Sequence, residues 1–218
     1  MPIFMENAKE NAMLTFFHAP SSRSSVITVL IDEMGIQDQI ETHIVEVPRS
    51  DGTGRRDPAN PHPEGKVPAL LHDGRIITER GAIMLHLCGL FPDSGMSPRP
   101  GTPEWGAFAS WLTWYQGVLE PVLILDFAKA SHPLLTSTFR GPTEAAARIR
   151  AALEQGPWLM GENYGAADLL VHSPYALFQD ITPDDPLIRH WLARCMDRPA
   201  RLRVIAADAD RMAQVSAA

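Results

Sequence analysis

Four of five consecutive residues are serines: Ser21, Ser22, Ser24 and Ser25, interrupted only by Arg23. They lie between a β-prone run, Leu14–His18, and a helical pattern that begins at Val26. Hydroxyls and the free N–H groups of a helix start converge in such a place. Capping needs only one of the four. Another hydroxyl could donate to the thiolate of a bound ligand. A free thiol with a pKa of about 8.5 is only about 3% ionised at pH 7. Lowering that pKa by about two units makes most of it thiolate, for about 2.7 kcal/mol of differential stabilisation. A hydroxyl donor at a helix N-terminus is suited to that task. No Gly-x-Ser-x-Gly occurs, and no nearby Ser/His/Asp order resembles a hydrolase.

A second group of chemistry-bearing residues lies within Gly65–Leu87. Val67-Pro68 comes first, and sequence alone favours the trans isomer. In the cis form the Val67 N–H and C=O would turn outward, where a peptide ligand could pair with them like an added strand. Glu79 follows at a helix start. The macrodipole favours an acidic residue there in any case. It could also meet a ligand's ammonium group while free N–H groups hold the ligand's carboxylate. Together these residues suit a small zwitterionic peptide.

The elements that must position them are legible from periodicity. Leu14–His18 is a strand closed by Ala19-Pro20. Val26, Ile27, Val29, Leu30 and Met34 recur at helical spacing up to Gly35, with Ser22–Ser25 supplying cap-type side chains. Glu41–Val47 alternates and predicts a second strand, and Pro48–Glu64 is a polar loop forming one wall of a site. Val67–His72 and Arg75–Thr78 form a hairpin around Asp73-Gly74, and Glu79–Leu90 a helix. Four prolines and two glycines in residues 92–103 mark a linker. Beyond it no strand signal recurs. Thr102 and Pro103 start a helix carrying Trp105, Phe108, Trp111, Leu112, Tyr115, Val118 and Leu119. Further helices are expected over Thr143–Gln155, Ala166–Phe178, Pro186–Met196 and Arg201–Ala213.

Composition sets bounds. A chain of 218 residues with 45% hydrophobic and 21% charged residues can bury a full core. The net charge of −7, without a basic stripe, argues against nucleic-acid binding. No apolar run reaches membrane-span length, and the polar start, MPIFMENAKENA, lacks a signal peptide's apolar core. Residues 1–12 are expected to be a flexible extension, with folded structure beginning near Met13. Cys88 and Cys195 lie in apolar helical segments and read as buried packing residues in a reducing compartment. The eight histidines show no metal-ligand spacing, so no metal site is expected.

The combination of HAPSSRSS before a helix, GKVPAL and DGRIITERGAIMLHL resembles the cytosolic glutathione S-transferases, and among them bacterial members that use serine rather than tyrosine or cysteine. The resemblance spans about residues 13–212. It implies an α/β plus all-α fold: a thioredoxin-like N-terminal domain over 13–91, the linker at 92–103, and an all-helical C-terminal domain over 104–218. It further implies that Ser22 stabilises the glutathione thiolate, with Ser21 and Ser24 as alternatives of register. Val67, before a cis-proline at Pro68, would pair with the cysteinyl backbone of glutathione. Glu79 would bind the γ-glutamyl end, and Lys66 the glycine carboxylate.

Two positions depart from the family pattern. Glu79-Arg80 replaces Glu-Ser, so that Arg80 either presents a charged fork to the γ-glutamyl carboxylate or turns into solvent. Gly165-Ala166-Ala167-Asp168 keeps the aspartate of a capping box but loses the hydroxyl, which leaves Asp168 a structural role beside a Tyr164–Leu169 staple. Trp111 and Tyr115 lie on the first C-terminal helix, either in an interdomain or dimer core or as a wall for an apolar electrophile.

The expected activity is therefore a glutathione transferase, cytoplasmic and homodimeric, with glutathione as co-substrate and a small apolar electrophile as second substrate. A glutathione-dependent isomerase or reductase is the enzymatic alternative. The Ser-Cys motif of maleylacetoacetate isomerase-like members is absent, and no Cys-x-x-Cys exists for dithiol chemistry. A transferase-like binding module without turnover is the third reading.

Overall fold

The computed structural model describes residues 14–216; the predicted extension, 1–12, lies outside them. The first part holds β1 (Leu14–His18), α1 (Ser25–Met34), β2 (Ile40–Ile44), β3 (Ala69–His72), β4 (Arg75–Thr78) and α2 (Arg80–Leu90). All five residues of β1 are buried because it is central, parallel to β2 on one side and antiparallel to β3 on the other. The sheet order is β2-β1-β3-β4. Asp73 and Gly74, both at positive φ, turn the β3–β4 hairpin. This is a thioredoxin-like arrangement.

In α1, Val26, Ile27, Val29, Leu30, Ile31 and Met34 are all buried, and the helix ends at Gly35 in the left-handed conformation (φ 67°). Each such aliphatic side chain contributes about 1.5–3 kcal/mol by leaving water. The β2 ladder is shorter than Glu41–Val47. It stops at Ile44 because its partner strand ends at His18, before Pro20; Val45 N–H still donates to His18 C=O (2.9 Å). Likewise β3 begins at Ala69 rather than Val67, and residues 48–64 form no helix or strand.

The second part is helical: α3 (Pro103–Trp114), α4 (Glu120–Phe127), α5 (Pro133–Phe139), α6 (Pro142–Leu153), α7 (Ala166–Leu177), α8 (Pro186–Met196) and α9 (Pro199–Ser216). Thr102 caps α3 as expected, accepting from Trp105 N–H at 3.2 Å. Two of these helices escape the periodicity. The α4 segment, EPVLILDF, is apolar on nearly every side and joins α3 through a π-helical turn, Tyr115–Leu119. The α5 helix has no buried residue, and its half-buried pair, Leu135 and Phe139, is too short a stripe to read as a period.

Asp168 is buried at the N-terminus of α7, with its carboxylate spread over three donors. Oδ1 accepts from Leu159 N–H (2.9 Å) and the Trp191 indole N–H (2.8 Å), and Oδ2 from Gly165 N–H (3.1 Å). Burial pushes its pKa up to about 6, against the pull of these hydrogen bonds. Its role is to join α7, α8 and the 156–165 loop. We expect Asp168→Ala, which orphans buried N–H groups, to cost about 3 kcal/mol or more in a urea titration; a loss below about 1 kcal/mol would contradict that role.

Candidate functional site

The sheet register brings three separate pieces of chain to one edge. Phe17 pairs with Ala69, and Ala69 pairs with Thr78. One step beyond these pairs lie the His18–Ser21 segment, Val67-Pro68 and Glu79. The Val67-Pro68 bond is cis, unlike the trans form that the dipeptide alone favours. The backbone of Val67 makes no hydrogen bond to another described residue, so its N–H and C=O are available for an extended peptide.

The serines form a knot rather than a set of caps. Ser24 is the N-cap residue of α1 but makes no side-chain cap bond. Its hydroxyl turns inward at 0% exposure, 2.7 Å from Ser22 Oγ and 2.8 Å from His18 Nδ1, and accepts from Ala19 N–H at 3.1 Å. Ser22 is half-buried, and its hydroxyl reaches Ala19 C=O at 2.7 Å. Ser21 is exposed, in a left-handed backbone conformation (φ 53°). Its hydroxyl meets no hydrogen-bonding partner among the described residues, while its N–H donates to Asp208 Oδ2 at 2.9 Å.

Asp208 arrives from α9, and it is 5% exposed. Besides Ser21 N–H, its Oδ2 accepts from Ser25 Oγ at 2.6 Å, and its Oδ1 lies 2.9 Å from His18 Nε2. Burial tends to raise its pKa, but the hydrogen bonds from His18, Ser25 and Ser21 outweigh burial and hold it below the usual carboxylate value. From the other side, Arg49 donates to Pro20 C=O (2.8 Å) and leans on Met212 of α9.

Glu79 has φ 71° and ψ 127°, a conformation that non-glycine residues adopt only when their surroundings impose it. Its Oε2 accepts from Gln116 Nε2 at 2.9 Å, and Gln116 Oε1 accepts from Gly81 N–H at 3.0 Å. Arg80 takes neither expected course. It folds into the interior over the Tyr115 ring (4.9 Å), with Nη2 2.7 Å from Glu120 Oε1. The same oxygen accepts from Arg23 Nε at 2.9 Å. Glu120 thus ties the starts of α1 and α2 to α4.

The remaining expected site residues have their side chains engaged elsewhere. Lys66 is exposed, with its ammonium on Glu64. Trp111 and Tyr115 are 8% and 1% exposed, and both belong to the core. Arg148 covers Trp111 and Trp114 at 4.8 and 4.6 Å from the ring centroids. Cys88 and Cys195 are free and buried; burial pushes the Cys88 thiol up to about 12 and raises that of Cys195 too. Among the described residues, no group of three or more His, Cys, Asp or Glu could hold a metal ion, and no helix is long and apolar enough to cross a membrane.

Sequence reasoning missed His18, Asp208, Arg49, Gln116 and Glu120. The one local signal was a histidine placed at the end of β1, six residues before Ser24. Nothing local marks Asp208, which is 190 residues from His18.

Residues 16–95 match the family model described as glutathione S-transferase, N-terminal domain. The chain is 26% identical over 206 residues to the disulfide-bond oxidoreductase YfcG of Escherichia coli K12, covering 86% of this chain and 92% of that protein. It superposes on a glutathione transferase from Methylococcus capsulatus Bath with a TM-score of 0.71 at 25% identity, covering 90% and 99% of the two chains. A sphingomonad glutathione S-transferase complexed with glutathione gives a TM-score of 0.68 at 22% identity, covering 89% and 98%.

The two arms of the Glu120 bridge differ in burial, since Arg80 is buried while Arg23 has a side chain 60% exposed. Removing the partner of a buried charge is costly, and removing an exposed one is not. We expect Glu120→Ala to lower the unfolding free energy by about 3 kcal/mol and Arg23→Ala by less than about 1 kcal/mol; equal losses in urea unfolding would refute this assignment.

Proposed function

We propose that this protein, whose residues 16–95 match the glutathione S-transferase N-terminal domain model, is a cytosolic glutathione S-transferase of the serine type that attacks apolar electrophiles with the glutathione thiolate. The observation that carries the reading is the convergence, at one edge of the sheet, of a half-buried Ser22 hydroxyl, an unpaired Val67 backbone and Glu79. In this reading residues 13–91 hold glutathione, 92–103 link, and 104–218 supply the second wall. The glutathione cysteine pairs with the Val67 backbone as an added strand. Its γ-glutamyl ammonium meets Glu79, and its γ-glutamyl carboxylate the first N–H groups of α2. Lys66 would have to leave Glu64 to reach the glycine carboxylate.

Ser22 donates to the sulfur once its hydroxyl leaves Ala19 C=O. Ser24 is walled in and serves to hold Ser22. Ser21 offers a second reading of the donor, because its exposed hydroxyl is engaged by no described residue. Rate then comes from the held thiolate and from proximity to the electrophile. With Trp111 and Tyr115 in the core, the apolar wall falls to Ile124 and Phe127. Both are exposed, and they follow Glu120 at i+4 and i+7, which continues its face of α4. A homodimer in the cytoplasm completes the reading.

The likeness to a disulfide-bond oxidoreductase favours one alternative, glutathione-dependent disulfide reduction at the same site. The burial of both cysteines means that glutathione itself would supply the thiol there.

Retention on immobilised glutathione and conjugation of a chlorinated nitrobenzene test the transferase reading against disulfide reduction assayed in parallel. Turnover of disulfides alone would select the alternative, and binding without either activity would make the protein a binding module. We expect Ser22→Ala to lower kcat/KM by about a hundredfold, the loss of about 2.7 kcal/mol of thiolate stabilisation. If Ser21→Ala does so instead, Ser21 is the donor; if neither does, the serine assignment is wrong.

A Cβ at Gly81 would stand 2.2 Å from Gln116 Oε1, which is the movable end of its side chain. Gly81→Ala should therefore displace Gln116 from Glu79. The expected result is a several-fold higher KM for glutathione with little change in Tm, and an unchanged KM would detach Gln116 from the site.

A further inference from the structure

We propose that the buried His18–Asp208 pair accepts the proton of the glutathione thiol, which reaches it through the hydroxyls of Ser22 and Ser24. The proposal rests on the reading of Ser22 as the hydroxyl that faces the sulfur.

The geometry is an unbroken chain of short contacts running inward from the site. Ser22 Oγ is 2.7 Å from Ser24 Oγ, Ser24 Oγ is 2.8 Å from His18 Nδ1, and His18 Nε2 is 2.9 Å from Asp208 Oδ1. His18 is 2% exposed, so the imidazole exchanges protons with the outside along this chain rather than with bulk water. Asp208 is held as a carboxylate by three hydrogen bonds. It therefore takes the Nε2–H of His18 and leaves Nδ1 as an acceptor for the Ser24 hydroxyl. The Ser22 hydroxyl has Ala19 C=O and Ser24 Oγ each at 2.7 Å, and once it turns from the carbonyl to Ser24 every donor in the chain points inward, toward the imidazole.

A thiol arriving at Ser22 meets an oxygen with a free lone pair. The S–H bond breaks, and its proton joins Ser22 Oγ. The former Ser22 proton passes to Ser24 Oγ, and the former Ser24 proton to His18 Nδ1. The products are a thiolate, two neutral hydroxyls and an imidazolium; no proton or electron is left over. Both hydroxyls have reversed direction, so Ser22 O–H now donates to the sulfur anion. The donor that steadies the thiolate is thereby created by the same transfer that forms it.

The charges around the imidazole suit this. Asp208 faces it from α9. Arg49, from the loop after β2, is spent on the Pro20 and Ser21 carbonyls, while α1 presents only the hydroxyls of Ser24 and Ser25. From the sheet the Phe16 ring stacks at 6.0 Å between centroids. The nearest opposite charge for an imidazolium is thus the Asp208 carboxylate. His18 acts through the serines and is a positioning residue, not one that touches substrate. The relay is complete only with α9 docked, and Arg198–Glu33 (2.6 Å) and Arg203–Asp32 (2.8 Å) hold it against α1.

The test counts protons in the full-length wild-type protein. Glutathione binding is followed by calorimetry in buffers of different ionisation enthalpy, with the ultraviolet thiolate band recorded alongside. The expected result is a full thiolate band with little proton release to buffer, because His18 keeps the proton. One proton released per thiolate overturns the relay and leaves the transferase reading standing. Binding heat without a thiolate band overturns thiolate activation as a whole, and no binding heat overturns the glutathione site itself. Asp208→Asn, which keeps the side chain's shape, and His18→Asn should still bind glutathione. Each should raise the thiol pKa by about one unit, which from about 6.5 lowers the thiolate band at pH 7 about threefold. Wild-type thiolate yield in either variant, if folded, would also overturn the proposal; the proton count decides it if neither folds.

Discussion

The carboxylate of Asp208 is the constraint on which the rest of the site depends. One oxygen takes the imidazole of His18 at the end of β1, and the other takes the backbone of Ser21 and the hydroxyl of Ser25. The strand end, the loop and the first residue of α1 are therefore fixed by one group. Hydrogen bonds to an ionised acceptor are roughly twice as strong as neutral ones. That strength offsets the left-handed conformation of Ser21, which an L-residue adopts at some cost. Without α9 the serine loop would retain Arg49 and its own hydroxyl contacts, including those from Ser24 to His18 and Ala19, but Ser21 N–H, Ser25 Oγ and His18 Nε2 would lose their shared acceptor.

That dependence explains where the sequence was informative. Features set by residues within one turn or one hairpin were legible: the burial of α1 and its stop at Gly35, the Asp73-Gly74 hairpin, the Thr102 cap and the helical second part. Features set by partners far along the chain were not. Nothing near Ser21–Ser25 announces a carboxylate 183 residues after Ser25. The sequence left open which serine caps and which of Ser21, Ser22 and Ser24 could face a ligand, whereas burial separates an anchored Ser24, a half-buried Ser22 and an exposed Ser21. The α4 helix was lost for the opposite reason, since an all-round apolar segment has no period to read.

Arg80 illustrates how burial overrides a local reading. Beside Glu79 at a helix start it seemed to have only the ligand or solvent as partners. A third course existed because the π-helical turn before α4 leads directly into Glu120, which is aimed back at the α2 start. A guanidinium can be buried there because it has both a carboxylate and the face of Tyr115. Arg80 is therefore a strut between the two parts of the chain.

The two bridges together define how the helical part holds the sheet edge that carries the serines. Glu120 grips the α1 and α2 starts from the side where Ile124 and Phe127 continue outward, and Asp208 grips the serine loop from beneath. The serine loop is thereby held by two helices, α4 through Arg23 and α9 through Asp208. The two holds differ in strength, because the Arg23 side chain is 60% exposed whereas Asp208 is buried. The Asp208 carboxylate therefore sets the geometry of the hydroxyls, and Glu120 acts mainly through the buried Arg80.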